Sequence, residues 1–287
     1  MNKLHLMIGA VLASTWAAPS AADPIRERIY PAPTAPLALG DLRGTAEIVT
    51  ARTADGLEIK GISTPARAGM PTLLVFHGNG QSADRARRWL EPLVAQGYGV
   101  LAAGYRGYSG NPGSPSGAGL ARDADAFYDH ARVLANGGPL WIVGHSLGGG
   151  VALALANRRP ADAVITVGTF TRLRDMAPRL ARSLVPNDYR NLEEVPRLTL
   201  PFVLIHGALD QVVPASMGEQ LHRAAHGASR TGASFILRDK DHWPAGEALL
   251  PVFEALRQRL ATGTWERGSL PESVVLWPFG QERPLGR

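Results

Sequence analysis

The chain has 287 residues, of which 45% are apolar and 19% charged, with 32 Gly, 22 Pro and no Cys. This length and apolar content can bury a core, while Gly follows no triplet period and no unit of about 30 to 45 residues repeats, which excludes disordered, collagen-like and solenoid chains. Without Cys there is no disulfide frame, thiolate zinc site, iron–sulfur cluster or cysteine nucleophile, so any covalent catalysis falls to another side chain. The net charge is +5, from 30 basic against 25 acidic residues, and every basic residue except Lys3, Lys60 and Lys240 is arginine. The arginines are scattered apart from short clusters at Arg85, Arg87, Arg88 and at Arg158, Arg159. No basic stripe with interleaved aromatics is present, so a solvated basic surface is expected and nucleic acid is not an expected partner.

Residues 1–22 read as a secretory signal: Lys3 supplies a positive start, residues 4–18 are mostly apolar, and Ser20-Ala21-Ala22 places small residues before Asp23. The apolar run is shorter than the roughly 20 residues a membrane-spanning helix needs, so export to the periplasm or medium is expected. Retention of the segment would instead leave the chain anchored close to a membrane. No twin arginine precedes the run and no Cys follows it, which supports neither a twin-arginine route nor a lipoprotein anchor. Residues 23–44, with Pro24, Pro31, Pro33 and Pro36, read as an extended lead-in.

A folded domain is expected over residues 45–262. Residues 46–53 and 57–63 are short β-like runs around Ala54-Asp55-Gly56, a hairpin signal. Six compact apolar runs follow, at residues 72–76, 99–103, 140–143, 163–167, 202–205 and 234–237. Their continuous hydrophobicity suits strands buried on both faces. Helical patterns lie between and after them, at residues 82–96, 120–135, 147–158, 215–225 and 244–260. The alternation predicts an α/β fold: one domain with a mostly parallel central sheet and helices on both faces. The strand-free interval 169–200 leaves room for a small lid at most, and residues 263–287 read as a Pro- and Gly-rich tail with no assigned structure.

Chemistry concentrates at Gly144-His145-Ser146-Leu147-Gly148, which follows a strand and opens a helix. A serine on such a turn adopts a strained backbone, and Gly144 and Gly148 leave the turn room to close. Ser146 then projects above the strand ends at a helix N-terminus, where negative charge is favoured. A serine hydroxyl is a poor nucleophile alone and needs a general base, which in turn needs a partner to fix its tautomer. Asp210 lies in the loop after the strand at 202–205, and His242 in the loop after the strand at 234–237. All three side chains thus arrive at one edge of the sheet, where open α/β folds place their sites.

The order Ser, Asp, His on these strand ends resembles the α/β-hydrolase superfamily over most of residues 46–260. The stretch Gly104-Tyr105-Arg106-Gly107-Tyr108-Ser109-Gly110, with Pro115-Ser116 and Asp123 behind it, is similar to the Tyr-Arg-Gly-Tyr-Gly-x-Ser loop of small ABHD-type and serine-aminopeptidase-like hydrolases. Ser109 departs from that loop, which often has Gly there. Residues 169–177 resemble the segment after the sixth strand of these proteins. The resemblance implies Ser146 as nucleophile, Asp210 as acid and His242 as base. An oxyanion hole needs two N–H donors. One is expected from the backbone of Leu147, after the nucleophile. The resemblance puts the other on the backbone of Asn79, with Gly78 and Gly80 letting that loop approach the substrate.

Other residues read as supporting. His77 and His206 are expected to be hydrogen-bonded structural histidines, and His145 to point away from the nucleophile. His222 and His226 are expected to face solvent. Asp239 and Asp241 are alternative acids, and Tyr105, Arg106 and Tyr108 are expected to stabilise their loop. No metal or cofactor is expected, since there is no paired-histidine helix, phosphate loop or dinucleotide fingerprint. The expected activity is hydrolysis of a carboxylic ester, such as a short acyl ester, monoacylglycerol or thioester, through an acyl-enzyme. Amide cleavage of an aminopeptidase kind is the alternative, and a catalytically silent binding protein on the same fold is the third reading.

Overall fold

The computed structural model describes residues 24–225 and 231–281. The proposed signal segment, residues 1–22, lies outside the described residues. Strand β1 (Glu47–Arg52) pairs antiparallel with β2 (Glu58–Thr64), and β2 with β4 (Gly99–Ala103). The parallel core comprises β4, β3 (Thr72–Phe76), β5 (Leu140–His145), β6 (Ala163–Val167), β7 (Phe202–Gly207) and β8 (Ala233–Leu237). A further strand, β9 (Val274–Pro278), pairs antiparallel with β8, giving the order β1-β2-β4-β3-β5-β6-β7-β8-β9.

Seven further helices join α1 (Pro24–Ile29): α2 (Ala83–Trp89), α3 (Glu91–Ala95), α4 (Gly117–Ala135), α5 (Leu147–Ala156), α6 (Asn191–Glu194), α7 (Ala215–Ala225) and α8 (Gly246–Thr262). Two apolar cores sandwich the sheet. Leu74 and Phe76 of β3 face a core with Leu120 and Phe127 of α4, Val151 and Leu155 of α5 and Leu221 of α7. Leu73 and Val75, alternating with them, face a core with Ala86 of α2, Leu93 of α3 and Phe253 of α8. Burial of both faces is the physical reason these strands read as unbroken apolar runs. Among the described residues no helix is long and apolar enough to cross a membrane.

Four differences from the sequence reading have local causes. The helix expected over 82–96 is broken at Leu90, where Pro92 at the second position of α3 cannot continue the earlier hydrogen-bond ladder. Helix α4 starts at Gly117, ahead of the expected residue 120, because the Ser116 hydroxyl caps it by accepting from Gly119 N at 3.1 Å. The lead-in is not wholly extended: Pro24–Ile29 is helical and Tyr30 is buried. The tail contributes β9, whose last residue Pro278, with Pro271 just ahead of the strand, suits a sheet edge. The interval 169–200 holds 3₁₀ turns at Leu173–Met176, Arg179–Leu184 and Val195–Arg197 together with α6.

The loop after β4 is fixed by a buried ion-pair network. The Arg106 guanidinium donates to Asp123 on α4 at 2.9 Å and to both Asp55 oxygens, at 2.7 and 3.0 Å, in the β1–β2 turn. Asp123 also accepts from the Arg106 backbone N–H at 2.9 Å. Replacing Asp123 with Ala leaves a buried guanidinium with one half-exposed partner, so the expected cost is about 3 kcal/mol. A urea midpoint measures it, and a loss below about 1 kcal/mol would mean that Asp55 alone satisfies Arg106.

Candidate active site

Strand β5 hands over to α5 at Ser146, which sits at φ 51°, ψ −114°. Few residues tolerate that conformation, which costs on the order of 1–3 kcal/mol. The turn closes so tightly that a Cβ on Gly144 would lie 2.2 Å from the Gly148 carbonyl oxygen, and one on Gly148 would lie 2.0 Å from that of Phe76. Both positions therefore require glycine. Ser146 N donates to the Val167 carbonyl at 2.9 Å, tying the elbow to the end of β6.

The next residue after Val167, Gly168 at φ +58°, packs against the other two expected site residues. A Cβ there would be 3.1 Å from His242 Nδ1 and 3.4 Å from Asp210 Oδ2. His242 Nδ1 bonds Asp210 Oδ2 at 2.8 Å. A carboxylate accepts, so Nδ1 carries the proton and Nε2 keeps its lone pair, the tautomer a general base requires. The Asp210 side chain is fully buried, and its Oδ1 accepts from Val212 N at 2.9 Å and Val213 N at 2.8 Å. Asp239 pairs instead with Lys240, and Asp241 accepts from Trp243 N, so neither alternative acid takes the place of Asp210. Among the described residues the Ser146 hydroxyl has no hydrogen-bond partner. The structure thus bonds Asp210 to His242 and brings the elbow beside them without closing the serine–histidine bond. Such a bond commonly tightens only with substrate present.

Of the two expected oxyanion donors, Leu147 is the first residue of α5, so its N–H is one that helical bonding leaves free. Asn79 lies in the exposed turn after β3, and its side-chain Oδ1 accepts from the Tyr108 hydroxyl at 3.3 Å. Gly78 sits so close to the elbow that a Cβ would be 2.6 Å from His145 Nδ1 and 3.4 Å from Ser146 Cβ. Gly80, at φ +68°, completes the turn.

Three buried histidines bond main-chain carbonyls of the loops around the site. His145 Nε2 donates to the His242 carbonyl at 2.9 Å, and its ring packs edge-on against Trp243, with centroids 4.0 Å apart. His206 Nε2 donates to the Val213 carbonyl at 2.9 Å and lies 3.4 Å from Asp210 Oδ2. His77 Nδ1 donates to the Gly78 carbonyl at 2.9 Å. Tyr105 donates to the His77 carbonyl at 2.9 Å, so Tyr105, Arg106 and Tyr108 all make bonds within or beside their loop. One expectation is corrected: His222 does not face solvent. It is buried, bonds Ser234 Oγ at 2.8 Å and stacks on Trp277 of β9 with ring centroids 3.5 Å apart. His226 lies outside the described residues. Among the described residues no group of three His, Asp or Glu is arranged to hold a metal ion.

The family described as serine aminopeptidase, S33, matches residues 70–189. An uncharacterized protein of Mycobacterium tuberculosis strain H37Rv is 36% identical over 186 residues, covering 62% of this chain and 66% of that protein. The lysophosphatidylserine lipase ABHD12 of Xenopus tropicalis is 27% identical over 206 residues, covering 63% of this chain and 53% of the lipase. The chain thus spans between about half and two thirds of the length of these relatives. Among solved structures, the Pyrococcus furiosus esterase Pf2001 superposes with a TM-score of 0.62 at 17% identity, covering 83% of this chain and 100% of the esterase. A Mycobacterium tuberculosis puromycin-hydrolyzing peptidase gives a TM-score of 0.62 at 19% identity, over 83% of this chain and 43% of the peptidase.

Burial pushes His77 down to about 4 from an ordinary 6.5, and burial followed by the neighbouring His242 pushes His145 down to about 3. Between the ordinary and the folded values, the unfolded chain takes up protons that the folded chain refuses. Stability therefore falls as pH drops from about 6.5 toward 4, by about 2–3 kcal/mol from His77 alone at pH 4.5. Urea midpoints at pH 7 and pH 4.5 measure this fall. His77→Asn should reduce it by that amount, and an equal fall in both proteins would refute the assignment.

Proposed function

We propose that this chain, which belongs to the α/β-hydrolase superfamily in its ABHD-type, serine-aminopeptidase-like branch, is a serine hydrolase that cleaves carboxylic esters through an acyl-enzyme. The observation that carries the reading is the 2.8 Å bond from His242 Nδ1 to the buried Asp210, set beside a serine held at φ 51° between two obligatory glycines. In the proposed reaction His242 Nε2 takes the Ser146 proton as Oγ attacks the acyl carbon. The tetrahedral oxyanion is held by the amides of Leu147 and Asn79. On collapse the C–O bond to the leaving group breaks as the His242 imidazolium protonates that oxygen, releasing the alcohol, and water activated by the same imidazole then releases the acid from Ser146. A short acyl ester, monoacylglycerol or thioester is the proposed substrate class, since the interval 169–200 holds only short turns and the four-residue α6 and so leaves no room for a large lid.

Amide hydrolysis is the second reading, favoured by the family description and by the likeness of the fold to a peptidase. It requires His242 to protonate a leaving amine and a site to receive a free N-terminus. For either reading the substrate is a small molecule, and export, with cleavage after Ala22, is the localisation that residues 1–22 support. N-terminal sequencing of the exported protein should begin at Asp23, and a start at Met1 would favour the anchored form.

A fluorophosphonate probe is expected to label Ser146, and Ser146→Ala to abolish labelling and lower kcat by roughly three to six orders of magnitude. Undiminished labelling in that variant would remove Ser146 from the mechanism. A panel of p-nitrophenyl esters of rising chain length against aminoacyl anilides separates the two readings. Turnover confined to the anilides would replace the ester reading with the aminopeptidase one.

A further inference from the structure

Residues 30–33, in the lead-in ahead of the first strand, touch the loops on the oxyanion side of the site. Tyr30 is 5% exposed and its hydroxyl lies 3.3 Å from that of Tyr189, which fixes one end of the segment. Ile29 and Ala32 pack on the same apolar core as Leu147. Pro31 lies against the turn that carries Asn79: a Cβ on Gly80 would be 3.8 Å from both the Pro31 ring and its carbonyl oxygen. The Pro33 carbonyl accepts from Ser109 N at 2.6 Å.

That last bond explains a departure from the family loop. Ser109 sits at φ 51°, in the left-handed region where the loop often has Gly, and a non-glycine residue there costs on the order of 1 kcal/mol. The bond to Pro33 holds Ser109 in this conformation. Its neighbour Tyr108 donates to Asn79 Oδ1 at 3.3 Å. Two routes therefore run from the segment to the same turn, one from Pro31 to Gly80 and one from Pro33 through Ser109 and Tyr108 to Asn79. On the β3 side the turn is held through Gly78, which lies against the elbow and whose carbonyl accepts from His77 Nδ1; beyond it the turn is more open. Asn79 is exposed and flanked by Gly78 and Gly80, neither of which has a side chain to pack.

We infer that residues 30–33 are a strap that positions the Asn79 amide for the developing oxyanion. The inference rests on the proposed acyl-enzyme chemistry and adds a positioning role that lies outside the triad. An oxyanion donor works only when it is aimed at the place where charge develops, and sub-ångström displacement weakens transition-state binding while leaving ground-state binding nearly unchanged. The strap should therefore be visible in kcat rather than KM.

The test uses the full chain, p-nitrophenyl butyrate as substrate and an alkyl boronic acid as inhibitor, whose tetrahedral adduct on Ser146 places an oxygen where the oxyanion forms. Tyr108→Phe removes the link to Asn79, and Pro31→Gly loosens the contact with Gly80. Each is expected to lower kcat about tenfold with KM changed less than about twofold, and to weaken the boronic acid in proportion to kcat/KM. Asp41→Asn breaks the lead-in's ion pair with Arg88, beyond the strap, and should leave all three parameters unchanged. Unchanged kinetics in both strap variants would overturn the inference. So would a rise in KM with kcat intact, which would make the segment a wall of the substrate pocket. Should Pro31→Gly lose cooperative melting, Pro31→Ala, which also removes the ring that meets Gly80, is measured in its place. A wild-type chain inert to esters and anilides would instead defeat the proposed chemistry itself, an outcome distinguishable because it appears before any strap variant is compared.

Discussion

A hydroxyl can stand at the strand-to-helix turn from β5 to α5 only where the residues two before and two after it have no side chains to clash. That constraint governs the region around Ser146. Gly148 lies against the carbonyl of Phe76, the last residue of β3, so α5 can leave β5 this close to the neighbouring strand only because that position has no side chain. The strained φ at Ser146 is unfavourable by itself. It is offset by α5, whose Val151, Ala152, Leu153 and Leu155 are buried, at about 2 kcal/mol for each large apolar side chain. Packing thus maintains the strain, and the strain places the hydroxyl at the junction of β5 and α5, where Ser146 is 9% exposed.

Around this turn the chain uses neutral imidazoles as struts. His145, His206 and His77 each donate one N–H to a main-chain carbonyl, and the three carbonyls belong to the loops of the expected base, acid and oxyanion donor respectively. A neutral histidine suits this work because it offers one rigid donor without the cost of burying a charge. Burial lowers all three proton affinities, which keeps the struts uncharged at neutral pH. His242, with its side chain 16% exposed, is the more open ring in the group.

The parallel core was legible because strands buried on both faces write themselves as apolar runs, and β3, β4 and β6 have the ends those runs imply. The elbow was legible because its glycines are sterically required, and the pairing of Asp210 with His242 because both follow strands that end at the same edge. The break at Leu90 and the burial of His222 were not legible. The first depends on how far Pro92 lies into a second helix, and the second on a stacking partner, Trp277, that is distant in sequence and sits in a strand too short and Pro-flanked to announce itself. The Ser109 conformation shows the same limit: the departure from Gly is visible in the sequence, but the carbonyl of Pro33 that holds it is not.

What escaped sequence reading has a common physical origin. The lead-in and the tail have low periodicity because neither presents one apolar face to one core. Each is instead held by scattered long-range contacts that only the finished sheet supplies. Yet both end up next to loops that carry the expected site residues. At one end, Pro31 and Pro33 meet the turns bearing Asn79 and Tyr108. At the other, β9 covers the edge of β8, whose far end leads into the loop of His242, and Arg238 N in that loop bonds the Ser273 carbonyl just ahead of β9. The parallel core can generate the elbow and the Asp210–His242 pair from its own topology. The flanking loops are held partly by imidazoles at the ends of the core strands and partly by partners from outside that core, which the chain draws from its lead-in and its tail.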